Sequence, residues 1–255
     1  MPYLTLSGIP TYHEVAGSGA PLVLLHGGFC SIETLRPQLE SLSSAFRVYA
    51  PERPGHGRTP DRDGPITFDQ IVADTLEYLD AMGLASAHIL GFSDGAIAGL
   101  TLAMQHPERV RSLVAIGANL DPSGLTDDQP AEAGKPGEQR ATGDDRMSAI
   151  DSQIRADYER LSPDGPAHAD VVLEKLARLW REEPQIAPTD LAAIAAPTMI
   201  MAGDHDSIRV EHTVAIAGAV PGAQLCIVPG SSHMVMMERP GIVNQIVREF
   251  LDAAS

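Results

Sequence analysis

Leu90-Gly91-Phe92-Ser93-Asp94-Gly95 carries the most specific structural signal in the chain. An apolar run precedes it, and a helical pattern, Ala96-Ile97-Ala98-Gly99-Leu100-Thr101-Leu102-Ala103, follows. Strand, Gly-x-Ser-x-Gly, helix is the order of a nucleophile elbow. The turn is so sharp that a Cβ two residues either side of the serine would collide with the neighbouring strand or helix, and Gly91 and Gly95 remove it. The strain pushes the Ser93 hydroxyl out at a strand's carboxyl end. It also brings the Asp94 N–H into the same space from a helix N-terminus. A glycine-rich turn with an inert serine would read alike over six residues, so the surrounding chain has to separate the two.

Working outward, Ala87–Gly91 reads as the strand feeding the turn and Asp94–Gln105 as the helix leaving it, with Pro107 as its stop. Upstream, Pro21-Leu22-Val23-Leu24-Leu25-His26 is continuously apolar, as a strand buried on both faces should be. It ends in His26-Gly27-Gly28-Phe29. Residues 31–45 carry Ile32, Leu35, Leu39 and Leu42 at helical spacing. Phe46–Ala50 is a further strand, running into the glycine-rich turn Arg53-Pro54-Gly55-His56-Gly57-Arg58. Thr67–Met82 has Ile71, Leu76 and Leu79 at helical spacing and Gly83 as a stop. Tyr3–Leu6 and Thr11–Val15 read as an antiparallel hairpin at a sheet edge. Val110–Gly117 is the strand after the elbow helix. This alternation implies a mostly parallel sheet with helices on both faces.

The pattern then breaks. Asp121 to Arg146 is rich in Pro, Gly, Asp and Glu with almost no large apolar residue, and reads as a loop. Two amphipathic helices follow, one carrying Ile150, Ile154, Tyr158 and Leu161, the other Val172, Leu176, Leu179 and Trp180. Residues 119–190 are therefore expected to form a helical lid inserted into a core made of 1–118 and 191–255. The core resumes with the strand Pro197–Gly203, a helix near 210–219, the strand Gln224–Pro229 and a last helix over about 239–253.

Composition narrows the function. The 255 residues carry a formal charge of −16 and are 44% hydrophobic, which suits one large globular domain. The charge argues against nucleic acid and against an anionic membrane surface as partners. No apolar run approaches the ~20 residues of a membrane span, and no basic residue precedes an apolar segment at the N-terminus, so no signal peptide is expected. Cys30 and Cys226 are far apart in apolar surroundings and read as free thiols suited to a cytoplasmic protein.

A serine hydroxyl needs a base within hydrogen-bond reach, and the base needs an orienting acid. His233, in Gly230-Ser231-Ser232-His233-Met234, lies in a loop between the last strand and the last helix, where a parallel sheet collects catalytic groups. In Gly203-Asp204-His205-Asp206, leaving the preceding strand, Asp206 is the preferred acid; Asp204 and then Asp121 are its alternatives. The chain order is Ser93, Asp206, His233. A transition-state oxyanion needs two preorganised donors; Asp94 N–H is one, and Gly28 N–H, or alternatively Phe29 N–H, is the other. Asp94, Phe29 and Met234 are the candidates for substrate contact. The Asp94 carboxylate either favours its helix N-terminus or pairs with a cationic substrate group. His26 and His56 read as structural residues of their loops. Asp204, His205, Asp206, Glu211 and His212 match no zinc-ligand spacing, so no metal is expected.

With His26-Gly27-Gly28, Gly91-Phe92-Ser93-Asp94-Gly95, Gly203-x-x-Asp206 and His233 in hand, the chain resembles the α/β-hydrolase superfamily over nearly its whole length. The resemblance implies an eight-stranded, mostly parallel sheet and a Ser-His-Asp triad without a cofactor. Ser93 sets it apart from branches whose nucleophile is a carboxylate. Ser93-Asp94-Gly95 and Gly117-Ala118-Asn119 are similar to the valacyclovir hydrolase (biphenyl hydrolase-like) branch, which implies that Asp94 binds a substrate amine. The expected activity is hydrolysis of small carboxylic esters, lactones, thioesters or amino-acid esters through an acyl-enzyme, by a monomer or homodimer. Carbon–carbon bond hydrolysis or perhydrolysis with the same triad is the alternative, and a non-catalytic ligand receptor on the same fold a third reading.

Overall fold

The structure is a computed structural model and describes residues 2–126 and 145–254, with side chains from 149 onward in the second stretch. Eight strands form one sheet: β1 (Tyr3–Leu6), β2 (Ile9–Ala16), β3 (Ala20–Leu25), β4 (Phe46–Pro51), β5 (Ala87–Phe92), β6 (Val110–Ile116), β7 (Thr198–His205) and β8 (Gln224–Ser232). Their order is β1-β2-β4-β3-β5-β6-β7-β8. The first two are antiparallel to each other, and β2 is antiparallel to β4; every pairing from β4 through β3 to β8 is parallel.

Alternation along the strands divides the core in two. Leu22, Leu24, Leu90, Val114, Ile116, Met199 and Met201 face one layer. It is covered by α1 (Arg36–Leu42), the short α7 (Val235–Glu238) and α8 (Pro240–Ala253). Val23, Leu25, Ile89, Leu113, Ala115 and Ile200 face the other, covered by α2 (Phe68–Ala81), α3 (Asp94–Gln105) and α6 (Val210–Ala219). Side chains of period two buried on both faces are what a central parallel strand requires. The most buried helix, α3, is built from small residues: a Cβ on Gly99 would sit 2.8 Å from Leu113 Cδ1, so this approach of helix to sheet leaves room for a larger residue only if the Leu113 side chain shifts.

The expected elements are present with shifted ends. The helix expected over 31–45 is a 3₁₀ turn, Ile32–Leu35, followed by α1. Pro37, at the second position of α1, suits the first turn, where an N–H has no partner to lose. Strand β2 is longer than expected and pairs with β4 as well as β1. Strands β7 and β8 run on through Asp204-His205 and Gly230-Ser231-Ser232.

Between the neighbouring strands β6 and β7 lie α4 (Asp145–Leu161) and α5 (Ala169–Glu182), flanked by short 3₁₀ turns. On α5, Val172, Leu176 and Leu179 are fully buried. Tyr158 of α4 stacks on Phe29, with ring centroids 4.9 Å apart and an interplanar angle of 15°. The loop expected over 121–146 lies for the most part outside the described residues. Its start forms a turn at Pro122–Gly124, where Asp121 Oδ1 accepts from Ser123 N–H. Among the described residues no helix is long and apolar enough to cross a membrane.

Candidate active site

The order of the sheet locates the site. From β3 the chain passes to β4 on one side, while β5 lies on the other. At such a switch point the loops leaving two adjacent strands diverge and open a crevice at the carboxyl ends. Here the loops are His26–Phe29, after β3, and the elbow after β5.

Ser93 stands at φ +51°, ψ −120°, a backbone conformation few non-glycine residues adopt. A Cβ on Gly91 would run into the backbone of Gly95 and Ala96, and one on Gly95 into the carbonyls of Leu25 and His26. The strained turn is held by its neighbours: Ser93 N–H donates to Ile116 O at 2.8 Å, and Ser93 O accepts from Ala96 and Ile97 N–H.

His233 Nε2 lies 3.0 Å from Ser93 Oγ, and His233 Nδ1 lies 2.7 Å from Asp206 Oδ1. An ionised carboxylate only accepts, so the hydrogen sits on Nδ1 and Nε2 is left to accept from the serine hydroxyl. Asp206 Oδ1 also takes the N–H of Ile208 at 2.9 Å, and Asp206 is 6% exposed. Gly117, at φ +65°, makes room for the pair: a Cβ there would lie 2.8 Å from His233 Cε1. The ring of Phe92 packs against the imidazole with centroids 4.9 Å apart. Of the alternative acids, Asp204 is exposed, accepting from Ser231 N–H and pairing with His205, and its hydrogen bonds hold it well below the usual carboxylate range. Asp121 caps its own turn.

The loop after β3 is built from buried polar pairs. His26 Nδ1–H donates to Gly27 O at 2.8 Å, and His26 Nε2 accepts from Arg53 N–H at 3.1 Å. The Arg53 guanidinium, 6% exposed, donates to His26 O at 2.7 Å and Gly27 O at 2.9 Å. Burial and the Arg53 charge push His26 well below the ordinary histidine value, and burial brings His56, 5.1 Å away, down to about 3. Both are neutral spacers, as their sequence context suggested. A Cβ on Gly27 would approach Ser93 Cβ to 3.1 Å, so this loop lies directly against the serine. Among the described residues, the N–H groups of Gly28, Phe29 and Asp94 donate no hydrogen bond within the protein.

Asp94 is 1% exposed. Its Oδ1 accepts from the indole N–H of Trp180, on α5, at 3.0 Å. Its Oδ2 lies 4.0 Å from Arg53 and makes no hydrogen bond. Burial raises its carboxyl above the ordinary value, against the pull of Arg53 and Trp180. Sequence reasoning passed over Arg53 and Trp180. Arg53 sits in a glycine-rich turn, and Trp180 continues an amphipathic stripe, so each has an ordinary explanation.

These groups open on a cavity of about 390 Å³, largely apolar. Phe29, Phe92, Ile97, Leu125, Ile154, Leu173 and Met234 supply apolar wall, and Trp180, Glu183 and Arg155 come from the segment between β6 and β7. Arg155 is the one arginine or lysine among the described lining residues, and it is taken up by Glu159 and Asp170 at 3.0 Å each. Among the described residues no group of three or more His, Cys, Asp or Glu side chains is arranged to hold a metal ion.

A Gly-x-Ser-x-Gly elbow and an apposed histidine, on an eight-stranded, mostly parallel sheet, define a hydrolase of the α/β class. The chain belongs to the alpha/beta hydrolase family, whose model matches residues 22–246. It is 25% identical to RutD of Azorhizobium caulinodans, a protein named for carbamate hydrolysis, over 98% of each chain. It is 28% identical to the carboxylesterase YbfK of Bacillus subtilis, over 90% of this chain and 79% of that one. The enol-lactonase of Burkholderia xenovorans LB400 superposes with a TM-score of 0.81 at 22% identity, covering 98% of this chain and all of the other, a likeness of fold.

Proposed function

We propose that this protein is a serine hydrolase that cleaves small, uncharged carboxylic esters, lactones or thioesters through an acyl-enzyme. The observation that carries the reading is the 3.0 Å approach of His233 Nε2 to Ser93 Oγ, with Nδ1 held by a buried carboxylate. Ser93 Oγ attacks the carbonyl carbon while its proton passes to His233 Nε2. The tetrahedral oxyanion is received by the N–H groups of Gly28 and Asp94. The carbon–oxygen bond to the leaving alcohol breaks, and that oxygen takes the proton from Nε2. Water then attacks the acyl-enzyme, giving its proton to His233, and Ser93 recovers the proton as the acid departs. Asp206 keeps the imidazole in the reactive tautomer and stabilises its cation.

In this reading 119–190 is a lid on a core of 1–118 and 191–255, and Phe29 and Met234 form part of the acyl wall. The engaged state of Arg155 supports neutral substrates over carboxylates. A second reading keeps the triad and changes the bond. The chain is also 25% identical to the 2-hydroxy-6-oxo-6-(2'-aminophenyl)hexa-2,4-dienoic acid hydrolase of Metapseudomonas resinovorans. A vinylogous diketone assayed beside a panel of simple esters separates the two.

The test is labelling with a small fluorophosphonate, located by peptide mass spectrometry. One adduct per chain on Ser93 is expected, lost in Ser93→Ala and slowed by about 10⁴-fold in His233→Ala, with ester turnover falling in parallel. Near-normal labelling of Ser93 in His233→Ala would overturn the assignment.

A further inference from the structure

We propose that the Asp94 carboxylate is a positioning group for the oxyanion loop rather than a ligand for substrate, and that Trp180 is its partner, coupling the inserted helices to the reacting centre. This rests on the serine hydrolase reading above.

Four parts of the chain meet at one carboxylate. Asp94 opens α3, directly after the nucleophile. Its Oδ1 is held by the indole N–H of Trp180 at 3.0 Å, and Trp180 stands near the end of α5. Its Oδ2 faces Arg53, whose guanidinium binds the carbonyls of His26 and Gly27. Between the two acidic and aromatic groups lies Gly28. A Cβ there would come within 2.5 Å of Asp94 Oδ2 and 2.7 Å of Trp180 Cζ2. The backbone of Gly28 is thus in direct contact with both groups, and Gly28 carries the N–H assigned to the oxyanion.

The burial decides against substrate contact. Asp94 borders the cavity, but the residue is only 1% exposed and its Oδ2 has essentially no accessible surface. An ammonium group reaching it would have to displace Gly28 or Trp180. The carboxylate is also the nearest anion to the buried Arg53, so its charge is already matched inside the protein. An indole N–H needs a partner when buried, and the one it finds is across the junction between core and insertion. When α5 is seated, Trp180 presses Gly28 from the insertion side while Asp94 supports it from below. Should α5 lift, that loop loses one wall and the indole its acceptor.

Trp180 is the chain's single tryptophan, so its fluorescence reads this contact without any substrate. The experiment takes the full chain and the variants Trp180→Phe, Asp94→Asn and Asp94→Ala, each checked for a cooperative unfolding transition. Asp94→Asn is isosteric and guards against an unfolded Asp94→Ala. In Asp94→Ala, and less in Asp94→Asn, Trp180 emission is expected to shift to the red and its quenching by acrylamide to rise several-fold.

Trp180→Phe keeps a ring but lacks the donor. It is expected to lower kcat for a short neutral ester by about 10- to 100-fold, the size of effect that an ångström of misplacement produces, while KM changes less than about threefold. The rate of fluorophosphonate labelling should fall with kcat. The double variant Asp94→Ala/Trp180→Phe should be no slower than the slower single variant, because both remove one contact.

A KM for an amino-acid ester that rises about tenfold in Asp94→Asn, with KM for its uncharged acyl analogue unchanged, would overturn the proposal in favour of amine recognition. Unchanged fluorescence in every folded Asp94 variant would overturn it as well. Failure of the serine hydrolase reading looks different: Ser93→Ala would then keep full turnover, whatever the indole reports.

Discussion

The φ +51°, ψ −120° backbone of Ser93 predicts that replacing the serine with glycine stabilises the fold relative to replacing it with alanine. A non-glycine residue in such a region carries about 1–3 kcal/mol of strain. Alanine keeps the Cβ and hence the strain; glycine releases it. Glycine in turn makes the unfolded chain more flexible, which costs about 0.5–1 kcal/mol. The difference favours Ser93→Gly over Ser93→Ala by about 1 kcal/mol, or ~2–4 °C in Tm for a chain of this size. Other consequences cancel. Both variants lose the hydrogen bond to His233, and Ser93 makes no side-chain cap bond to α3 that either could forfeit. The assay is urea unfolding of the two variants, with the slopes compared to establish a common unfolded state. Should Ser93→Gly be less stable than Ser93→Ala by the usual cost of a glycine, the elbow stores no strain. Gly91 and Gly95 would then have no strained turn to permit.

Two further outcomes are expected. Arg53→Met strips charged donors from the buried carbonyls of His26 and Gly27, which should cost about 3–6 kcal/mol in urea unfolding, at about 1.5–3 kcal/mol per bond to a charged group; a loss under about 1 kcal/mol would show that water replaces the guanidinium. The second concerns acid. His26 and His56 have folded pKa values below the unfolded value of about 6.5, so the unfolded chain takes up protons first and stability falls as pH drops from there. By about pH 4.5, two units below the unfolded value, His56 contributes close to 3 kcal/mol of that loss, at about 1.4 kcal/mol per unit, so His56→Asn should flatten the acid slope by about that amount, and an unchanged slope in that variant would refute the assignment.

Much of this was legible in short stretches because the chemistry involved is local. A sharp turn with two obligatory glycines, a helix of small residues and a proline stop are written in consecutive residues. The expected bounds of the elbow helix, Asp94–Gln105, coincide with α3. The meeting of Asp94, Trp180 and Gly28 could not be read this way. The residues lie 66 and 86 positions from Asp94, and each has a sufficient local explanation: a helix N-terminus for the carboxylate, an amphipathic stripe for the indole and a tight loop for the glycine. Only their packing shows one carboxylate serving three elements.

The ends of β7 and β8 carry the same lesson further. Apolar runs stop at Gly203 and Pro229, so the polar residues beyond read as loop. Yet pairing continues to His205 opposite Ser232. Side chains at the carboxyl ends of neighbouring parallel strands are neighbours whatever their polarity. The extension therefore sets Asp206 and His233 each one residue past a matched pair of strand ends, which brings Nδ1 and Oδ1 within 2.7 Å despite a separation of 27 positions in sequence. The spacing Gly203-x-x-Asp206 has a physical meaning in these terms. Asp204 lies within the paired strand and is turned outward to the Ser231 N–H; two residues later the chain has left the sheet, and the next carboxylate is free to turn back toward the imidazole. A polar strand end is thus what separates the acid beside the imidazole from the one that Ser231 and His205 hold at the surface.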